Sequence, residues 1–381
     1  SITWSGGTLS SSQIENLYAG LSVTPTSYGT QTNPISSRTV SWTYSRSESD
    51  LNFLREGETL TIVQYIRVTD SPSGAYQATP ITITITGTND TPDITVVDVT
   101  GGVTEDASLT ADNANTVAVE TGSYVTDAGS ISFDDLDLTD TSLVTVAHIS
   151  SVASGAASVS SDLATALQNL SDTFKITNAG VGSAAHSGTV NWRFALENSL
   201  TQYLSASETI TVTYRITVTD DSGVSPASGS NEVNARTQDV TVVITGVNDT
   251  PVISVVGSDS DSAAFTETNA GLTSSGTLSV ADVDLTNTVA PSVYSVVASG
   301  ITTGMPSNNA ALLAMLTVNA GNVISSSTTT GTINWSFNSG SEYFNYLATG
   351  EVLTLTYTVK ATDSSTGSDT QTVTITVTGT N

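Results

Sequence analysis

The chain has 381 residues, of which 36 are acidic and 9 are basic, so its formal net charge at pH 7 is −27. This charge disfavours nucleic acids and anionic membranes as partners, because both would be repelled, and it favours cations. The length exceeds what one hydrophobic core usually supports, and the absence of cysteine excludes disulfides and thiolate metal sites.

Short segments in which apolar and polar residues alternate run along the whole chain. Three of them, TVSWTYS, TVNWRFA and TINWSFN, are centred on Trp42, Trp192 and Trp335. An alternation of period two predicts strands with one buried face. Each tryptophan segment follows a short helical pattern (SSSQIENLYAG, SDLATALQNL or NNAALLAML) and precedes two further strand patterns that end in ITITITG, VTVVITG or VTITVTG. The sequence therefore predicts β units with one short helix each.

The same unit occurs three times in register. After each tryptophan, constant intervals lead to a glutamate and then to an aspartate: Glu58 and Asp70, Glu208 and Asp220, Glu351 and Asp363. An aromatic residue and a leucine precede each glutamate, which predicts a turn packed into the core: Phe53-Leu54, Tyr203-Leu204 and Tyr346-Leu347. Repeats of this kind predict an all-β chain of tandem antiparallel sandwiches, immunoglobulin-like or cadherin-like, arranged end to end as an elongated rod.

The predicted domains are residues 1–90, a partial repeat that lacks its first strands; residues 91–249, a full repeat with two inserts; and residues 250–381, a full repeat. Two explanations of the short first repeat stay open, a simple cut in the chain or completion of its sheet by strands from another chain. No run of about 18 apolar residues occurs, so no membrane-spanning helix is predicted.

The repeats meet at a recurring phrase, ITGTNDTPDI at 85–94 (the first junction) and ITGVNDTPVI at 244–253 (the second junction). Pro92 and Pro251 restrict the threonine before them to extended conformations and have no N–H, so we expect a stiff linker at both places. An Asp-x-Asp follows each phrase, at Asp135 and Asp137 and again at Asp282 and Asp284.

Calcium is a hard ion that takes about six to eight oxygen ligands, and grouped carboxylates would repel one another without a cation. The ligands predicted for the first junction are Glu58, Asp70, Asn89, Asp90, Asp135, Asp137 and either Glu120 or Glu105, which the sequence does not separate. Those predicted for the second junction are Glu208, Asp220, Asn248, Asp249, Glu267, Asp282 and Asp284. The alternative interpretation is a set of Asx turns in solvated loops.

The combination of GTNDTP, VTED, DLD or DVD, GETLTI with VTD, and ITITITGTND resembles the VCBS repeats of giant bacterial surface adhesins of the RTX class, which are cadherin-like. The resemblance spans nearly the whole chain; the inserts of the second repeat and the short first repeat depart from it. It implies a calcium-stiffened extender segment, secreted by a type I system, that projects an adhesive tip from the cell for attachment and biofilm formation.

We predict that the chain is not an enzyme, because its acidic groups recur in each repeat, whereas a catalytic site is usually single. The predicted function is an extracellular structural module at a bacterial cell surface, with calcium ions and neighbouring repeats as partners, and with neither nucleic acid binding nor membrane insertion. Two alternatives stay open: a subunit of a surface layer or filament assembled by strand complementation through the incomplete first repeat, and a carbohydrate-binding adhesin module.

Overall fold

The computed structural model describes residues 1–29, 37–70, 73–110, 123–177, 186–221, 234–305 and 308–380. In these ranges the chain consists mainly of β-strands, grouped in three consecutive units, with a short α-helix in each. The predicted all-β fold of tandem sandwiches with short helices is confirmed. The exact domain boundaries at residues 90 and 249 stay a prediction. The longest of the described helices has eight residues, and none could cross a membrane.

The first unit contains a three-stranded antiparallel sheet, β1-β4-β5, and a separate antiparallel pair, β2-β3. Its elements are β1 (Ile2–Trp4), α1 (Ser11–Tyr18), β2 (Leu21–Thr24), β3 (Ser41–Tyr44), β4 (Thr59–Thr69) and β5 (Tyr76–Thr86). Helix α1 begins as the sequence predicts, because Ser10 and Gln13 form a capping box. A small core lies between α1, the turn before β4 and β4 itself: Leu17, Phe53, Leu54, Leu60 and Ile62.

The second and third units share one architecture, two four-stranded sheets packed face to face. The second unit contains β6 (Asp93–Val97), β7 (Thr100–Thr104), β8 (Tyr124–Asp134), β9 (Ser142–Ala153), α2 (Ser161–Leu167), β10 (Phe174–Ile176), β11 (Ser187–Glu197), β12 (Thr209–Asp220) and β13 (Ala235–Thr245). The third contains β14 (Val252–Ser254), β15 (Ser262–Thr266), β16 (Thr273–Ala281), β17 (Val289–Gly300), α3 (Asn309–Ala314), β18 (Leu316–Val318), β19 (Thr330–Asn338), β20 (Val352–Asp363) and β21 (Ser368–Thr378). The sheet orders are β10-β11-β8-β6 with β7-β13-β12-β9, and β14-β16-β19-β18 with β15-β21-β20-β17.

The tryptophan strands confirm the predicted buried face in two units and not in the first. Trp192 and Trp335 are 1% exposed and belong to a core, whereas Trp42 is 45% exposed and does not. The indole N–H groups of the buried pair donate to carbonyls of the segments that open their own units, Asp98 O at 2.8 Å and Ser260 O at 2.6 Å. In the described part of the first unit no such segment covers Trp42, because β3 pairs with β2 alone.

One strand pairing in each of the last two units is parallel, and it decides which residues share an end of the sandwich. Strand β7 runs parallel to β13 and β15 runs parallel to β21, whereas the β12–β13 and β20–β21 hairpins are antiparallel. Glu105 follows β7, Glu208 precedes β12 and Asn248 follows β13, so all three lie at the same end of the second unit. Asp220 ends the 12-residue β12 and therefore lies at the opposite end, roughly 40 Å away.

Candidate metal centres

The two Asp-x-Asp segments form tight turns directly after long strands, β8 and β16. In each turn the backbone N–H of the second aspartate donates to the carboxylate of the first, from Asp137 to Asp135 at 3.0 Å and from Asp284 to Asp282 at 3.1 Å. These bonds hold the two aspartates of each pair close together. The geometry is therefore that of an Asx turn, but all four aspartates are buried rather than solvated.

Each turn contacts the preceding unit through its backbone. The N–H of Leu138 donates to Phe53 O at 3.4 Å, and the N–H of Leu285 donates to Tyr203 O at 3.1 Å. The accepting residues belong to the aromatic-leucine turns that the sequence places before β4 and β12. The end of one unit is thus joined to the start of the next by the same bond at both junctions.

The first junction brings together three buried aspartates. Carboxylate oxygens of Asp135, Asp137 and Asp140 all lie within 4.8 Å of one another. The linker joins this cluster, because the N–H of Asp90 donates to Asp137 Oδ2 at 2.8 Å. The second residue of the Asn-Asp pair is thereby fixed beside the cluster.

The second junction has a corresponding cluster formed by Glu105, Asp249 and Asp284, whose carboxylate oxygens lie within 4.8 Å of one another. The N–H of Asp249 donates to Asp284 Oδ2 at 3.0 Å, and the N–H of Val247 donates to Glu105 Oε1 at 2.5 Å. The amide of Asn287 also donates to Asp284 Oδ2, at 2.9 Å. This cluster therefore combines the second unit, the linker and the third unit.

The asparagine of each linker reaches the end of a long strand in the following unit. Asn89 Nδ2 donates to Asp220 Oδ2 at 3.4 Å, and Asn248 Nδ2 donates to Asp363 Oδ2 at 3.1 Å. These bonds add a further carboxylate to each junction, and the amide oxygen of Asn248 accepts a hydrogen bond from Asn287 Nδ2 at 2.9 Å.

Two of the glutamates that follow a tryptophan at a constant interval, Glu58 and Glu208, lie at the junctions where the sequence places them. Glu58 Oε1 accepts a hydrogen bond from the hydroxyl of Thr139 in the second unit, at 2.6 Å. Glu208 Oε2 accepts from the backbone N–H of Ser205 at 3.1 Å, and the hydroxyl of Ser205 is hydrogen-bonded to that of Thr286 in the third unit. Glu58 therefore contacts the following unit directly, whereas Glu208 contacts Ser205, which in turn contacts the third unit.

Several carboxylate oxygens in the two clusters are buried and accept no hydrogen bond from the described residues. They are Asp135 Oδ2, Asp137 Oδ1, Glu105 Oε2, Asp249 Oδ2, Asp282 Oδ2 and Asp284 Oδ1. Glu105, Asp137 and Asp284 are 0% exposed, so bulk solvent does not reach these carboxylates. A buried acceptor without a donor is destabilising unless a cation shares its site.

Burial is the main reason that these acids resist ionisation, and the charges of neighbouring carboxylates act in the same direction. Together they raise the pKa of Glu105 to about 8 and the pKa of Asp137 and Asp284 to about 7. The pKa of Asp135 and of Asp282 is raised to about 6. Near neutral pH, each cluster therefore holds protons that a bound cation would displace.

The donor set fits calcium. Both junctions supply carboxylate and asparagine side-chain oxygens, which a hard divalent cation prefers, and the chain has no cysteine that would favour a softer metal. At the second junction the unpartnered oxygens come from the Asp-x-Asp turn, the linker and Glu105 after β7, and at the first they come from the Asp-x-Asp turn. Their role as metal ligands stays a prediction.

Two predicted glutamates lie one junction later than the sequence interpretation placed them. Glu105, a candidate for the first junction, lies at the second, and Glu267, assigned to the second, lies at the far end of the third unit, where its carboxylate accepts from the hydroxyl of Thr380 at 2.6 Å. The reason is the parallel pairing of β7 and β15, which carries each glutamate to the end of its own unit. Glu120 lies outside the described residues.

Two predicted aspartates are also placed differently. Asp220, assigned to the second junction, lies at the first with Asn89. Asp70 is exposed and accepts a hydrogen bond from Ser73 at the end of β4 opposite to Glu58, roughly 36 Å along the 11-residue strand. A glutamate before a long strand and an aspartate after it cannot share a site, because the strand separates them.

Three residues of the clusters were not among the predicted ligands: Asp140, Asn287 and Asp363. A signal existed for each. Asp363 is in register with Asp220 in the repeat, and Asp140 and Asn287 each lie three residues after the second aspartate of an Asp-x-Asp. Only the pairing of the strands shows that these positions reach the junctions.

No protein-family model matches the chain, and no curated protein matches it. Solved structures that match include the protocadherin gammaB4 extracellular domain, at 14% identity and a TM-score of 0.34 over 94% of this chain and 43% of that chain. Extracellular cadherin domains 1–5 of protocadherin gamma B2 match at 15% identity and a TM-score of 0.36, over 84% and 46%. Domains EC22–24 of mouse cadherin-23 match at 13% identity and a TM-score of 0.32, over 89% and 78%. The chain spans less than half the length of the two protocadherins.

Proposed function

We propose that the chain is a non-enzymatic extracellular extender whose consecutive sandwiches are held in line by calcium bound at their junctions. The observation that carries this proposal is the position of the unpartnered buried carboxylates. They cluster at both places where one unit meets the next. The second cluster combines residues of the second unit and of the third with the linker, and the first, which belongs to the second unit, is hydrogen-bonded to the linker at Asp90 and ion-paired to Arg55 of the first unit. An acidic group that stabilised only one sandwich would not have to lie at the end where that sandwich meets the next unit.

The residues proposed to hold calcium differ in part from the predicted sets. At the first junction they are Asp90, Asp135, Asp137, Asp140, Asp220 and Asn89, with Glu58 beside them. At the second they are Glu105, Asp249, Asp282, Asp284, Asp363 and Asn248, with Asn287 and Glu208 beside them. When bound, calcium would neutralise the carboxylates and bridge the groups that carry them.

The protein residues limit the movement of each joint before any ion binds. The leucine N–H groups attach each Asp-x-Asp turn to the preceding unit, and the linker N–H groups of Asp90 and Asp249 attach the linker to the turn. Pro92 and Pro251 keep the linker extended. What remains unfavourable is the mutual repulsion of the carboxylates, so the stiffness of the joint should depend on calcium.

The resemblance to VCBS repeats supports a bacterial cell surface as the location, with type I secretion and a role in adhesion and biofilm formation. Calcium affinities of about 10⁻⁴ to 10⁻³ M are typical of extracellular modules. A segment with such affinities would stay flexible in the calcium-poor cell interior and become rigid after export.

Small-angle X-ray scattering of the chain in calcium and in a chelator tests the proposal. We expect a longer maximum dimension and a narrower ensemble of shapes in calcium. The matched variants are Asp137→Asn with Asp284→Asn, one at each junction, and Asp162→Asn on exposed α2 serves as the control. An unchanged scattering profile of the unaltered chain would contradict the calcium-stiffened extender.

Assembly by strand complementation is a second candidate, favoured by one observation. The strands β13 and β21 are covered by β7 and β15, but in the described residues no strand pairs with the outer edge of β5. An open edge offers unpaired backbone groups to another chain. Size-exclusion chromatography at increasing concentration separates the candidates, because only an assembling subunit should grow.

A further inference from the structure

An arginine joins the first two units at the first junction. Arg55 Nε lies 3.0 Å from Asp140 Oδ1, and Arg55 Nη2 lies 3.5 Å from Asp221 Oδ1 and donates to Asp221 O at 3.2 Å. The side chain of Asp140 is fully buried and that of Arg55 is 28% exposed. The guanidinium therefore places a positive charge against the acidic cluster, from the side of the first unit.

The second junction has neutral residues at both corresponding positions. Ser205 precedes Glu208 by the interval at which Arg55 precedes Glu58, and Asn287 follows Asp284 as Asp140 follows Asp137. Among the described residues, no ion pair joins the second unit to the third. The contacts there are hydrogen bonds, such as that of Ser205 with Thr286.

The second cluster also contains an acid that the first one lacks. Glu105 reaches the second junction because β7 runs parallel to β13. In the described first unit no strand runs parallel to β5, so no glutamate occupies the equivalent place. The second junction thus has Glu105 in its cluster and Asn287 in place of Asp140, whereas the first has Asp140. Among the described residues, only the first junction has a cationic side chain, the guanidinium of Arg55, at its cluster.

We infer that Arg55 acts as a built-in cation, so that the first junction stays closed without calcium, whereas the second junction closes only when calcium binds. This inference rests on the proposed function. The chain would then contain one permanent joint followed by one calcium-dependent joint, and loss of calcium would make it bend at the second.

Distance measurements across each junction separately test this inference. Because the chain has no cysteine, two introduced cysteines label only the chosen sites. Thr79→Cys with Ala147→Cys spans the first junction, and Ala147→Cys with Ser299→Cys spans the second; all three positions are exposed. Single-molecule energy transfer or spin-label distances are recorded in chelator and in calcium.

We expect the distance distribution across the first junction to be narrow in both conditions, and that across the second to be broad in chelator and narrow in calcium. Arg55→Ser, which gives the first junction the residue found at the second, should make the first distribution broad in chelator and restore its narrowing by calcium. Arg67→Ser, which removes an exposed arginine from β4, is the matched control and should change nothing.

The reciprocal double variant, Ser205→Arg with Asn287→Asp, should remove the calcium response of the second junction. Circular dichroism of every variant in calcium verifies that the sandwiches remain folded. Equal calcium responses at both junctions of the unaltered chain would overturn the role of Arg55 and leave the calcium-stiffened extender intact. The absence of any response at either junction would overturn both.

Discussion

At the scale of single residues, the acids of the two junctions differ from the other acids of the chain by what surrounds them. Asp259, for example, accepts hydrogen bonds from Thr277 at 2.6 Å and from Ser279 at 2.8 Å, and these bonds lower its pKa. Asp284 and Glu105 are buried instead and have oxygens without donors, and their pKa is raised. Composition alone gives all of these residues the same charge, and only their environment separates a solvated or hydrogen-bonded acid from a candidate ligand.

The raised pKa values predict how stability depends on pH when no cation is present. In the unfolded chain these carboxyl groups have a pKa near 4, whereas in the folded chain the pKa is about 7 for Asp137 and Asp284 and about 8 for Glu105. The folded state therefore binds more protons in this range, so its free energy of unfolding decreases as pH rises from about 4 to about 8. Thermal unfolding in chelator should give a higher Tm near pH 5 than near pH 8.

Calcium should weaken this pH dependence, because the bound ion takes the place of the protons. The same thermal scans in saturating calcium provide the control. A Tm in chelator that increases from pH 5 to pH 8 would contradict the assignment of buried, protonated acids to the junctions.

Substitution of one junction acid should have opposite effects in the two conditions. Glu105→Gln keeps the shape of the side chain but removes a carboxyl group whose ionisation is unfavourable in the folded state, so in chelator the free energy of unfolding should stay equal or increase. In calcium the variant should lose much of the ligand-induced stabilisation, which for one site is about 2.7 kcal/mol at a 100-fold excess over Kd. Chemical denaturation measures both values.

Asp162→Asn, on the exposed face of α2, is the matched control for Glu105→Gln and should leave the calcium-induced stabilisation unchanged. Equal losses in the two variants would indicate a general charge effect rather than a site at Glu105.

At the scale of elements, the strands and helices could be predicted from the sequence because their signals are local. Period-two alternation marks β12 and β20, and a serine or asparagine cap marks each helix. The acidic groups are different, because a site depends on which strand ends lie together. Glu105 and Glu267 were assigned to the wrong junction since nothing in their local sequence indicates that β7 and β15 pair in parallel with the last strand of the unit.

The same limit explains Asp70 and Asp220. Both belong to a constant interval that correctly defines the repeat, but an interval along one strand separates two residues in space rather than bringing them together. The contents of each cluster could be predicted in outline from the Asn-Asp phrase and the Asp-x-Asp, whose members do meet. To predict which junction each of the remaining acids reaches, the order and direction of the strands must be known.

A close approach between neighbouring strands gives a test at this scale. Gly276 pairs with Trp335, and a Cβ at residue 276 would lie 2.5 Å from Cζ2 of the indole. Because the buried indole cannot move away, Gly276→Ala should decrease the free energy of unfolding of the third unit by about 1–3 kcal/mol. Ser275→Ala, at the adjacent exposed position, should change it little. Urea unfolding compares the two variants, and equal stability would contradict the packing of Trp335 on Gly276.

At the scale of the whole molecule, the net charge of −27 should make the apparent stability depend on salt. The screening length decreases from about 10 Å at 0.1 M to about 3 Å at 1 M monovalent salt. In chelator, sodium chloride should therefore raise the Tm, because it weakens repulsion among exposed acids along the chain. In saturating calcium the increase should be smaller. Differential scanning calorimetry across this salt range measures both, and a Tm in chelator that is independent of salt would contradict this expectation.

The parallel pairing of β15 with β21 has a mechanical consequence. Five residue pairs join these strands, from Ser262 with Thr374 to Thr266 with Thr378. Tension that pulls the amino-terminal side of the unit away from its carboxyl-terminal side slides one strand lengthwise past the other, so the five pairs share the load and must yield together. A hairpin pulled from its open end would instead peel one pair at a time. A segment of this design would resist the drag of flowing water without depending on the strength of any single bond.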